Sequence, residues 1–323
     1  MKITLMLMIA LLSGMILPPS LLASRLTGAA PQDGRTVEKP RGPAKPVVIP
    51  VTIITHGSRE EPELQTIDLN VIEDGEPQDN LSVRAVGTNS PITMAVLIQD
   101  DLVNSIANET KGIAEFIRSL PKGSRVMVGY IRTGTLQVPQ KFTGDLERAA
   151  KAVRVPLGLA SAAPFNPYVE VLEGLNRFVS QPGGRRAILL ISDGLDVSRG
   201  VDAASVTQSI DLQRAIKRAQ QRSVAIYSIY APSAGLAAGN SILASYAQSS
   251  LQRLSSETGG KAFFQGLNAP VSFDPFLRAI TSALDRQVAL TYLSTHTNKG
   301  FHRLQIRSSA PGVELNYPSG YSR

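Results

Sequence analysis

The chain has 323 residues, of which 43% are hydrophobic and 18% charged; this is a globular composition, long enough for one large domain plus a small one. It has no Cys, which excludes a disulfide framework, a thiolate metal site and a catalytic thiol, and its three His (His56, His296 and His302) are so scattered that no histidine-based zinc site is expected. The formal charge of +7 is spread along the chain, its densest stretch (Arg214, Lys217, Arg218, Arg222) reads as one solvated helix face, and with 5% aromatics and no Trp no nucleic-acid partner is expected.

The N-terminus combines Lys2, an apolar run from Ile3 to Leu12 and small residues beyond it, the parts of a secretory signal. The run is short and is broken by Pro18-Pro19, whereas a spanning helix needs about 20 apolar residues. The expectation is export with cleavage after Ala23 or Ala29, no stable transmembrane segment afterwards, and a periplasmic, secreted or cell-surface location. Residues 31–46 are polar and Pro-rich and read as a linker. A β-branched strand over 47–54 follows, and its internal Pro50 suggests an edge position. Asp74-Gly75, between Leu69-Asn70-Val71-Ile72-Glu73 and a second strand near 81–86, predicts a tight hairpin, because both turn positions need positive φ.

From residue 92 strands and helices alternate. Thr93-Met94-Ala95-Val96-Leu97-Ile98 is apolar throughout, as in a strand buried on both faces. A helix follows to about Leu120, then a strand over 125–131, an edge segment near 136–138, and a helix capped by Asp145. Tyr168, Val171, Leu172, Leu175, Phe178 and Val179 form a helical stripe. The strand Ala187-Ile188-Leu189-Leu190-Ile191 runs into Ser192-Asp193-Gly194. Helix 205–222, strand 224–229, helix 241–256, a short strand at 261–264 and a last helix carrying Phe273 to Leu284 complete the series. Such alternation predicts a doubly wound, mostly parallel α/β sheet. Strands return at 288–294, 301–307 and 313–317. Neither β segment has strands enough to bury a core alone. The expected organisation is a signal peptide at 1–30, the linker at 31–46, a small β-sandwich-like domain split between 47–90 and 287–323, and the α/β domain inserted between its halves at 91–286.

Ligands of doubly wound sheets bind at the carboxyl ends of the strands, at the topological switch point. Asp100-Asp101 follow the first buried strand and Asp193 follows the central one. Carboxylates in one loop crevice suit a hard divalent cation, while capping of helices and turns is the other use of Asp there. No G-x-S-x-G elbow, P-loop or nucleophile–base pair is present, so no enzymatic activity is expected.

Four stretches carry a family resemblance: Asp68-Leu69-Asn70-Val71-Ile72-Glu73-Asp74-Gly75-Glu76-Pro77-Gln78; Val96-Leu97-Ile98-Gln99-Asp100; the apolar strand ending in Ser192-Asp193-Gly194; and Glu257-Thr258-Gly259-Gly260 with Phe263-Phe264 beyond it. In order and spacing, over residues 46–320, they resemble the von Willebrand factor type A superfamily, in particular its exported bacterial branch typified by Acidobacteria. The resemblance implies a metal-ion-dependent adhesion site that uses D-x-S-x-S, a Thr and a distal Asp to hold Mg2+ or Mn2+, with a position left for an acidic residue of a partner. It maps Asp100 and Asp193 onto the two Asp positions. Leu102 and Asn104 then stand at the Ser positions and Phe165-Asn166 near the Thr position. Leu102 and Phe165 cannot ligate a metal, whereas Asn104 can supply a carbonyl oxygen, which leaves the expected set of Asp100, Asn104 and Asp193. A register shifted by one uses Asp101 and Ser105 instead, with Val103 at the first Ser. Asp101, Asn166 and Gly194 are the expected ligand-binding face. The implied function is protein or matrix binding through a degenerate site with weak or absent Mg2+ or Mn2+. The alternative is a structural or assembly protein whose β domain docks partners with no metal role.

Overall fold

The computed structural model describes residues 44–55, 68–87, 89–200, 205, 207–234 and 240–323. The signal segment, most of the linker and His56 lie outside them. Thirteen strands and six α-helices occur among the described residues.

Six strands form the parallel sheet: β4 (Ile92–Gln99), β5 (Arg125–Arg132), β6 (Thr135–Thr143), β7 (Arg185–Ser192), β8 (Ala225–Tyr230) and β9 (Ala262–Phe263). Their order is β6-β5-β4-β7-β8-β9, and only the edge strand β6 runs antiparallel. The direction of winding therefore reverses between β4 and β7. Every residue of β4 is buried because successive side chains enter two different cores. Met94, Val96 and Ile98 pack on the side of α1 (Thr110–Ser119), α2 (Leu146–Lys151) and α6 (Asp274–Asp285). Ala95 and Leu97 pack on the side of α3 (Pro167–Asn176), α4 (Ile210–Arg222) and α5 (Ser241–Glu257). The helix starts follow local chemistry: Asp145, Asn166, Ser209 and Asn240 each accept a backbone N–H of the first turn.

The second sheet is antiparallel and joins both ends of the described chain. It contains β1 (Lys45–Thr55), β2 (Leu69–Glu73), β3 (Glu76–Ala85), β10 (Gln287–Ser294), β11 (Phe301–Ser308), β12 (Val313–Asn316) and β13 (Gly320–Ser322), in the order β12-β1-β10-β3-β2-β11-β13. The sheet curls, bringing β12 near β11. Its core includes Val47, Ile49, Val51, Val71, Leu290, Tyr292, Leu304 and Ile306. Along β11 buried and exposed residues alternate, as expected of an antiparallel strand with one wet face. Asp74 and Gly75 both take positive φ, 50° and 90°, the tight two-residue turn their sequence demands. Pro50 lies where β1 has one paired neighbour, β10, because β12 pairs only with Thr52 to Thr55.

The α/β unit enters the chain after β3 and leaves it before β10, and these two strands are neighbours. Arg185, at the start of β7, ties the junction: its guanidinium donates to Gln287 Oε1 at 3.0 Å, the Ser90 carbonyl at 2.9 Å and the Leu284 carbonyl at 2.6 Å.

Three elements differ from expectation. The first helix opens as a 3-10 turn over Asn104–Glu109 and becomes α-helical at Thr110, since Asn104, Ser105 and Asn108 are weak helix formers. The helix expected from 205 begins at Ile210, behind its Ser209 cap. Strand β13 was unforeseen, being three residues long with no alternating pattern of its own.

Candidate functional site

The carboxyl ends of β4 and β7 lie side by side, with Ile98 opposite Ile191. Gln99, the last residue of β4, clasps the two loops. Its Oε1 accepts from Ser192 Oγ at 2.5 Å and from Asp193 N–H at 3.1 Å, while its Nε2 donates to Asp101 Oδ1 at 2.8 Å. Ser192 Oγ also accepts the Gly194 N–H, and Asp193 Oδ1 accepts the Leu195 N–H at 3.0 Å. A third loop, after β8, closes over the first: Leu102 bridges Ser233, the Val103 N–H donates to the Pro232 carbonyl, and the Ala234 N–H donates to the Asp101 carbonyl. Ser233 is thereby brought to the same cavity wall as Asp193.

Asp101, Asp193 and Ser233 line a cavity of about 290 Å³ together with Thr133, Ser161 and Phe165. Asp101 is fully buried, and its Oδ2 has no hydrogen-bond partner. Burial, then the negative charge of Asp193, pushes the Asp101 carboxyl up to about 6, against the opposing pull of Gln99. Burial also raises the Asp193 carboxyl, opposed by the Leu195 N–H and by Ser233 and Gln99.

Asp100 has a different set of neighbours. The Arg154 guanidinium grips it from both sides, Nη1 to Oδ1 at 2.7 Å and Nη2 to Oδ2 at 2.9 Å, and the Leu157 N–H donates to Oδ1 at 3.1 Å. Arg154 in turn stacks on the Tyr130 ring at 3.8 Å. The first of two adjacent carboxylates is thus spent on an internal fork, and the second meets Asp193. Asn104 is exposed at the start of the 3-10 turn, packed against Gly158, and Ser105 beside it is exposed as well. Neither lines the cavity. Asn166 caps α3, accepting from the Tyr168 N–H and donating to Asp211 Oδ2 at 2.8 Å. Gly194 is buried behind Asp193 at φ +69, where a Cβ would strike Leu251, and its carbonyl accepts from Tyr168 Oη. Of the expected binding face, only Asp101 reaches the cavity.

Sequence reasoning missed Gln99, Arg154, Thr133 and Ser233. Nothing local marks the last three; the tight spacing of Gln99, Asp101, Ser192 and Asp193 about two strand ends was the one available signal.

Two carboxylates, one with an unpartnered oxygen, plus a hydroxyl form an all-oxygen donor set that fits a hard divalent cation retaining several waters. What fold and site define is a doubly wound α/β unit with an acidic crevice at its switch point. Solved structures similar to the chain include a von Willebrand factor type A protein from Catenulispora acidiphila (12% identity, 86% of this chain and 73% of that one, TM-score 0.40). Others are an aerotolerance-related membrane protein from Bacteroides fragilis (14%, 60% and 98%, 0.41) and the manganese-loaded TRAP protein of Plasmodium vivax (11%, 79% and 99%, 0.39). No family model and no curated relative matches the chain.

Proposed function

We propose that this chain is an exported, non-enzymatic protein-binding module of the von Willebrand factor type A kind, of the exported bacterial branch that its hairpin segment resembles. It takes its ligand, a protein or a component of the periplasmic or extracellular matrix, at the crevice of Asp101 and Asp193. The observation that carries this reading is the buried, unpartnered Asp101 Oδ2 beside Asp193 on the wall of an open cavity at the switch point. Asp101, Asp193 and Ser233 would hold Mg2+ or Mn2+, and an acidic side chain of the partner would complete the shell. Binding is weak, with a dissociation constant of about 1 mM or above, because Leu102 and Val103 stand where further oxygen ligands are needed.

Calorimetry with Mn2+ and Mg2+ on the wild-type chain and on Asp101→Asn tests the site. A pull-down from the exported fraction, with and without chelator, tests its use. Millimolar Mn2+ binding lost in Asp101→Asn, with capture that needs both Asp101 and the cation, is the expected result. Capture unaffected by chelator and by Asp101→Asn would refute it in favour of an assembly role for the antiparallel sheet, which exposes Val48 and Phe301.

A further inference from the structure

The antiparallel sheet gathers four groups that lie far apart in the sequence. Glu73 ends β2, Asp74 opens the hairpin turn, His296 follows β10, and His302 is the second residue of β11. One carboxylate oxygen each of Glu73 and Asp74 and one ring nitrogen of His296 lie within 4.8 Å of one another. Glu73 is fully buried, and the Tyr321 hydroxyl donates to its Oε1 at 2.7 Å. Its Oε2 has no hydrogen-bond partner, and neither has His296 Nδ1. These two orphaned atoms are 3.9 Å apart.

That separation is too long for a hydrogen bond. It is close to the span of two ligands on one metal ion, since bonds of about 2.0–2.2 Å in a tetrahedral shell set neighbouring donors roughly 3.4 Å apart. Leaving a buried carboxylate oxygen and a ring nitrogen both unmet is unfavourable, and a cation between them removes both deficits. The surroundings complete a metal-site pattern. His302 Nδ1 lies 2.8 Å from Asp74 Oδ2, and the Arg303 N–H donates to Asp74 Oδ1 at 2.8 Å, so the Asp74 carboxylate is held in place. His296 Nε2 lies 3.8 Å from Glu76 Oε2, an acidic neighbour beyond hydrogen-bond reach. Asp74 is exposed and His296 half-buried, so an ion has access from solvent, and water can fill a fourth position.

We propose that Glu73, Asp74 and His296 form a divalent transition-metal site, with zinc as the ion that suits it best. One imidazole and two carboxylates match zinc's mixed nitrogen and oxygen preference, whereas Mg2+ and Ca2+ favour all-oxygen shells of six or more ligands. The proposal is independent of the crevice at Asp101 and Asp193.

Zinc alone is titrated calorimetrically into the metal-free chain, with thermal unfolding recorded in parallel. One equivalent should bind and raise the melting temperature. His296→Ala should weaken binding at least tenfold. Asp101→Asn should leave it unchanged. His296 is only partly buried, so its variant reads the site even if Glu73→Gln, at a fully buried position, fails to fold. No uptake at about 0.1 mM zinc, a loss below tenfold in His296→Ala, or an equal loss in Asp101→Asn would each overturn the proposal.

Discussion

Arg154→Ala tests the division of labour between Asp100 and Asp101. The substitution removes a two-pronged grip on a carboxylate that has no exposure of its own and leaves the Leu157 backbone N–H as the remaining donor to it among the described contacts. Breaking one side of a fully buried pair costs about 3–5 kcal/mol. The Arg154 side chain is 40% exposed, so solvent screening brings the figure to the lower end, about 3 kcal/mol including its packing on Tyr130. For a chain of this size that corresponds to a fall in melting temperature of about 5–10 °C. Urea denaturation at neutral pH measures it. Arg154→Lys should show an intermediate loss, because an ammonium keeps the charge but not the fork. Asp100→Asn combined with Arg154→Ala should recover at least about 1 kcal/mol over Arg154→Ala alone, since no buried charge is then left uncompensated. Asp100→Asn should also leave Mn2+ binding at the crevice unchanged. A loss below about 0.5 kcal/mol in Arg154→Ala, or a double variant no better than the single one, would refute the structural role assigned to Asp100.

The Asp101 carboxyl titrates between its ordinary value of 3.8 and about 6 on folding, so the folded chain keeps a proton there that the unfolded chain has released. The stability it contributes is present below the lower value and lost as pH rises through the upper one. Asp101→Asn should therefore be more stable than wild type at pH 7, by about 1–3 kcal/mol, with the difference gone near pH 4; parallel pH–stability curves would contradict this. Protons compete with the cation for the same oxygens, so Mn2+ binding should weaken as pH falls through about 6, measured by calorimetry at two pH values. Gln99→Met should cost about 2–4 kcal/mol by stranding Ser192, the Asp193 N–H and Asp101, and it should abolish Mn2+ binding as well. Gly260→Ala should destabilise by about 3 kcal/mol or more in thermal unfolding, because its Cβ would fall on the Ile226 carbonyl, a backbone atom of β8 that cannot move aside.

Residues 93–98 announce a strand buried on both sides, and β4 divides them between two cores because helices cover both faces. Asp74-Gly75 announces its turn through the positive φ that few other pairs tolerate. What sequence leaves open is which of two consecutive carboxylates faces the crevice. Adjacent side chains at a strand end diverge, so the choice between Asp100 and Asp101 rests on partners, and Arg154 sits in a loop with no local mark of its role. Ser233 arrives by a loop closure that no periodicity describes. The grouping of His296 with Glu73 is equally silent in the sequence, because it depends on β10, β3, β2 and β11 lying side by side.

The adjacency of β3 and β10 has a mechanical side. A pull on the two flanks of the described chain loads β1 and β13 first, then travels sideways through the antiparallel pairs between them. While β3 and β10 stay zipped, the two stems of the inserted α/β unit are held together by that antiparallel pair. Arg185, bonded to both the Ser90 and the Leu284 carbonyls, acts as the clip that delays separation of the insert's two stems.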